Sequence, residues 1–189
     1  MGRVMSKSVR FLALAACLLI GLVAPATAAD LENTLYLDVP AGRVVIELLP
    51  NVAPVTVARV KELTRQHFYD GLKFHRVIAG FMAQTGDPQG NGTGGSGKNL
   101  KAEFNSTRFV RGTLGMARAE DPNSADSQFF ICFAPAPFLN NKYTAFGQVV
   151  SGMEFVDAIK KGDPNSGTVV NPDKIIRMQV AADAEKAGH

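Results

Sequence analysis

The chain has 189 residues, of which 46% are hydrophobic and 20% charged, with 20 Lys and Arg against 17 Asp and Glu. Three of those basic residues, Arg3, Lys7 and Arg10, and none of the acids precede residue 29, so the remainder balances 17 against 17. A neutral remainder gives no bulk electrostatic argument for nucleic acid or an anionic membrane.

Taken in chain order, the basic start is followed by the apolar run FLALAACLLIGLVAP (11–25) and by Ala26-Thr27-Ala28, a small-x-small cleavage pattern. This reads as a secretory signal peptide over 1–28, because the run is shorter than the roughly 20 residues of a membrane-spanning helix. An exported, soluble, periplasmic product beginning near Ala29 is expected, without stable membrane insertion. A lipoprotein signal ending at Cys17 is the competing reading, but it would leave LLIGLV beyond the cysteine. With residues 1–28 removed, Cys132 is the only cysteine and no intrachain disulfide can form. Some 160 residues remain, enough for one domain, 29–189.

NTLYLDV (33–39) and RVVIEL (43–48) alternate as strands around Pro40-Ala41-Gly42. Residues 54–68 open with Pro54 and set Val57, Val60 and Leu63 on one helical face. KFHRVI and FMAQT, broken at Ala79-Gly80, read as two more strands; GTLGMA, QFFICF and TAFGQVV read as three others. Ser151 with Glu154 marks a capping box for a helix over 152–161, followed by Gly162 and Pro164. IIRMQVA closes the pattern, and the charged tail 181–189 is expected to fray. Eight short strands and two helices predict an antiparallel barrel or sandwich.

The segment 85–111 reads as a long mobile loop. Its Gly90, Gly92 and Gly95 fit G-x-G-x-x-G, and Gly92 to Lys98 fit G-x-x-x-x-G-K, but Asn99 replaces the Ser or Thr that a phosphate loop needs. Neither pattern is followed by a good helix start, so no nucleotide site is expected. The histidines His67, His75 and His189 and the cysteine lack metal-ligand spacing, and no G-x-S-x-G elbow occurs.

The stretch FHRVIAGFMAQTGD (74–87) is the most informative. It sets Arg76 among Phe74, Val77, Ile78, Phe81 and Met82, with Gln84 close behind, and a guanidinium is costly to bury unpaired. Strand alternation puts His75 on the face opposite Arg76 and keeps Phe81 and Met82 from pointing the same way. Some large apolar groups must then face outward, giving either a groove for an apolar ligand with a peptide-like edge or a dimer contact.

FHRVIAGFMAQTGD, GTLGMARA, SQFFICF and FLNNKYTAFGQVVSGMEFVDAI, in that order, resemble the cyclophilins, peptidyl-prolyl cis/trans isomerases. The resemblance implies a mainly β fold, a closed eight-stranded antiparallel barrel capped by two α-helices, acting as a monomer on X-Pro bonds of proline-containing polypeptides. A module that only binds or chaperones proline segments is the alternative. Carried over by position, Arg76 resembles the catalytic arginine and Gln84 its holder; Phe81, Met82, Phe130 and Leu139 resemble the proline pocket. Ala117, Arg118 and Gln128 would hold the peptide backbone. Phe138 stands where eukaryotic members carry tryptophan, and Tyr143 where they carry histidine, both like a bacterial exported subgroup. Arg118 replaces a common asparagine and Ala79 a common proline. Because Phe138 lacks the indole N–H that tryptophan can donate, cyclosporin, the family's inhibitor, is expected to bind weakly. Rotation about an X-Pro bond breaks no bond, so no nucleophile, metal or cofactor is expected.

Overall fold

The computed structural model describes Met1 and residues 30–187. The segment read as a signal peptide lies outside the described residues except for Met1. A short 3-10 turn, Leu31–Asn33, leads into β1 (Thr34–Val39) and β2 (Gly42–Leu48), which pair antiparallel from Val39 opposite Gly42 outward. The alternation seen in the sequence is the burial pattern: Leu35, Leu37, Val39, Val44, Ile46 and Leu48 all face the core.

Helix α1 (Pro54–Arg65) buries Val57, Val60 and Leu63 with two threonines, as its 3.6-residue spacing requires. Its Ala53 cap has no side-chain acceptor. Glu103, far away in sequence, instead accepts from the N–H groups of Val55 and Thr56 at 3.0 and 2.8 Å. A carboxylate there also meets the positive end of the helix dipole. The helix ends three residues before the expected boundary, where His67 takes φ 57.

The rest of the sheet is β3 (Arg76–Ile78), β4 (Met82–Thr85), β5 (Thr113–Met116), β6 (Phe129–Cys132), β7 (Ala145–Ser151) and β8 (Arg177–Val180). All pairings are antiparallel, in the order β3-β4-β6-β5-β7-β2-β1-β8. The expected closed barrel is thus an open, curled sheet, with β3 and β8 at its ends. Between those ends the chain makes single bonds rather than a ladder: Gly71 N–H to Ile175 O, Phe74 N–H to Asp173 O, and an isolated bridge between Lys73 and Lys174.

Helix α2 (Met153–Ala158) begins without the expected capping box, because Ser151 is the last residue of β7. Gly152 makes the turn at φ 81, where a Cβ would lie 2.4 Å from the Arg43 carbonyl oxygen. Only glycine combines that conformation with that approach. The tail expected to fray forms α3 (Ala181–Ala187). Arg65 bonds Asp183 at 2.8 Å and Glu32 at 2.9 Å, tying α3, α1 and the first turn together.

Two apolar clusters result. The main core gathers Leu35, Ile46, Leu63, Val77, Phe129 and Ile131 among others. A second, on the other face of the sheet, gathers Met82, Phe109, Phe130, Cys132, Ala136, Leu139 and Ala145.

Candidate active site

Alternation along three neighbouring strands builds the second face. Val77, Ala83, Phe129 and Ile131 point into the main core, while Ile78, Met82, Phe130 and Cys132 join the outer cluster. The register sets Arg76 opposite Gln84, Gln84 opposite Phe130, and Phe130 opposite Gly115. Gly115 is needed because a Cβ would lie 2.5 Å from Phe130 and 2.6 Å from Phe109. Those two rings stack with centroids 5.8 Å apart.

The outer cluster opens into a groove of about 720 Å³. Met82, Phe130 and Leu139 are buried at its floor; Phe81 and Phe138, with rings 5.3 Å apart, stand higher, and Phe138 is 61% exposed. Arg76 and Gln84 form a polar wall, and Ala117, Arg118 and Tyr143 close the far end.

Two of the expected orientations fail. Phe81 precedes β4 and His75 precedes β3, so strand alternation does not govern either residue. Phe81 and Met82 therefore join one cluster, and His75 lines the groove beside Arg76. The His75 ring is buried, neither of its nitrogens has a protein partner, and burial lowers its pKa.

Arg76 is held from two sides. Its Nη1 donates to Gln84 Oε1 at 3.2 Å and its Nε to the Ser166 carbonyl at 3.1 Å. A guanidinium can only donate, so Gln84 must present oxygen to it and nitrogen elsewhere. Gln84 Nε2 donates to Gln128 Oε1 at 2.9 Å, and Gln128 Nε2 donates to the carbonyls of Gly92 and Gly94 at 3.1 and 2.8 Å. The two amides form a directional relay from the arginine into the glycine-rich loop. Gln128 does not line the groove itself but the adjoining hollow, which Arg118 also lines.

That loop is laced rather than loose. Asp87 accepts from the N–H groups of Gln89, Asn91 and Gly92. Burial works to raise the pKa of its carboxyl, but these backbone donors outweigh it and leave the group below the ordinary carboxylate value. Asp126 accepts from Ser96, Gly97 and Lys98. No helix follows Lys98, which removes the context a phosphate loop needs.

The Arg118 side chain is engaged with its own chain. Nη1 donates to the carbonyls of Ala119 and Glu120, Nε and Nη2 to that of Lys142, and the guanidinium lies 4.7 Å over the Tyr143 ring. Tyr143 in turn meets Phe130 edge-on at 6.0 Å. Sequence reasoning missed His75, Asn91, Lys142, Thr168 and Val169 as lining residues. Thr168 reaches the site through an isolated bridge to Arg76, flanked by bonds from Val77 N–H to the Gly167 carbonyl and from Val169 N–H to that of His75, pairings for which no local sequence signal exists.

The profile of the family described as "Cyclophilin type peptidyl-prolyl cis-trans isomerase/CLD" matches residues 34–180. A probable peptidyl-prolyl cis-trans isomerase of Brucella suis is 54% identical over 179 residues, covering 88% of this chain and 91% of that one. Peptidyl-prolyl cis-trans isomerase B of Bacillus subtilis is 46% identical over 65% of this chain and 86% of its own. Among solved structures, a Hirschia baltica cyclophilin superposes with TM-score 0.73 at 25% identity, covering 82% of this chain and 76% of that one. A cyclophilin-type isomerase of Cryptosporidium parvum, crystallised in the presence of the dipeptide Ala-Pro, superposes with TM-score 0.72 at 28% identity, covering 78% and 98%. With a profile match running from β1 through β8 and relatives this similar over most of their length, the chain belongs to the cyclophilin-type peptidyl-prolyl cis-trans isomerases.

Proposed function

We propose that this isomerase acts on X-Pro bonds of exported polypeptides as they fold, with Arg76 as its catalytic residue and Gln84 positioning it. One observation carries the assignment: a guanidinium fixed by Gln84 and the Ser166 carbonyl stands beside an apolar groove floored by Met82, Phe130 and Leu139. Amide resonance sets a barrier of roughly 18–20 kcal/mol to rotation, and uncatalysed X-Pro isomerisation takes roughly tens to hundreds of seconds. As the bond twists, resonance is lost and the prolyl nitrogen regains a lone pair. The Arg76 N–H groups not occupied by Gln84 and Ser166 donate to that nitrogen, an interaction absent from either planar form. Phe81, Met82, Phe130 and Leu139 grip the pyrrolidine ring, while Ala117 and the Arg118 segment hold the flanking backbone. Gln128 serves through the relay as well as through any peptide contact.

Arg76→Ala is expected to lower kcat/KM by on the order of 10²- to 10³-fold with the fold intact, the usual loss for one preorganised donor. Arg76→Lys recovers little, because lysine lacks the planar fork that Gln84 and Ser166 hold. Line-shape NMR on a proline peptide reads binding and exchange in one sample. Fast exchange in Arg76→Ala, with exchange abolished in His75→Ala, would transfer the role to the histidine. Peptide bound with no acceleration by the unaltered protein would leave only a holding module.

Export rests on the leader-like residues 1–28, and a periplasmic monomer that neither inserts in membrane nor binds nucleic acid is the corresponding proposal. Mass spectrometry of exported protein is expected to find a mature start at Ala29, within a residue or two. A lipidated start at Cys17 overturns it.

A further inference from the structure

Every residue lining the groove that carries a full charge is a cation: Arg76, Arg118 and Lys142. This contrasts with the even balance of acids and bases from residue 29 onward. The carboxylates of Asp87, Asp126 and Asp163 do not line the groove and are bonded to loop amides. Asp87 is held by the Gln89, Asn91 and Gly92 amides, Asp126 by Ser96, Gly97 and Lys98, and Asp163 by Asn165 and Ser166. Glu120 follows Arg118 closely but does not line the groove. None of the three cations forms a salt bridge among the described residues.

The cations are also spaced. Arg76 is on β3, while Arg118 follows β5, and β4 and β6 lie between those strands. Three strand spacings amount to roughly 14 Å, which about four extended residues span. Arg118 is held in place by the carbonyls of Ala119, Glu120 and Lys142 and by its position over Tyr143, so its charge costs little entropy to present. Lys142 is exposed beside it.

Building on the isomerase reading above, we propose that the groove selects proline segments carrying an acidic residue within about four positions of the proline, recognised by the Arg118–Lys142 end. Arg76 engages the proline, and the far cations meet the acid. Because these charges touch solvent, each pairing is modest and sensitive to salt.

The test uses the purified protein and sets of proline peptides identical except for Glu, Gln or Lys two or three residues before or after the proline. At low ionic strength the Glu peptide is expected to exceed the Lys peptide in kcat/KM by about tenfold on one side of the proline, through KM rather than kcat. Raising salt toward 0.5 M, well beyond the screening threshold, is expected to erase most of the difference. Lys142→Glu is expected to invert the order of Glu and Lys peptides, and Lys142→Gln to shrink it. Equal rates for all three peptides overturn the preference while leaving the isomerase reading intact, as does an unchanged order in Lys142→Glu. Failure to accelerate any peptide, the Gln series included, overturns both.

Discussion

Phe129 and Phe130 are neighbours on one strand, yet they serve two regions built on different terms. Phe129 meets Tyr69 and Phe146 edge-on, at 5.6 and 6.1 Å, inside a core of fully enclosed Leu, Val and Ile. Phe130 stacks on Phe109 in a cluster of Met, Phe, Cys, Leu and Ala that is open on one side. The main core is closed against water, whereas the outer cluster leaves apolar surface open to the groove. Both are written in alternate letters of β3, β4 and β6, so adjacent substitutions should separate stability from binding.

The largest effect expected is in the main core. Phe129→Ala should cost about 3–5 kcal/mol in urea denaturation, since its neighbours enclose the cavity it leaves. Phe130→Ala should cost less, because its ring already borders the open groove, while abolishing binding of a proline peptide. Equal stability losses would mean that the two clusters are one core. A smaller effect concerns the loop beside the groove. The Asp87 carboxyl has its folded pKa below the ordinary aspartate value of 3.8, so the stability it contributes is present above that pH and is lost as pH falls through the folded value. Hydrogen exchange at Gln89, Asn91 and Gly92 should lose about tenfold in protection across that window, while Ile131 in the main core keeps its own. Loss at both places together would show that the loop does not open by itself. The smallest effect is at Phe138, whose exposed ring lacks the indole N–H of tryptophan. Phe138→Trp should tighten cyclosporin by about 0.5–1.5 kcal/mol in calorimetry, one neutral hydrogen bond. Unchanged affinity would move the cause to Arg118.

Local pattern made the first hairpin, α1 and the strand count legible, because alternation and helical spacing are themselves the burial pattern. Distant partners decided the rest. Nothing near residue 181 announces that Asp183 will meet Arg65, and α1 takes its cap from Glu103 across the chain. The alternation argument fails at His75 and Phe81 because β3 and β4 are shorter than the apolar runs containing them, and alternation stops where pairing stops. Arg76 with Gln84 was legible as a polar pair in apolar surroundings. Gln128's relay was not, since it depends on the carbonyls of Gly92 and Gly94 being brought to it. Lys142 is not legible as a groove residue, because a surface lysine has no distinguishing neighbours in sequence.

The strand that carries Arg76 lies at the end of the sheet, and its outer edge is occupied. Val77 donates to the Gly167 carbonyl, Gly162 donates to that of Val77, and Val169 donates to that of His75. An unoccupied edge would offer a row of amides and carbonyls to any extended chain, and the clients proposed here are extended chains. Under the proposed mechanism, occupation by the 162–169 turn would separate catalysis from capture: a client would bring its proline to Arg76 without adding itself as a ninth strand, and would leave after its bond has rotated.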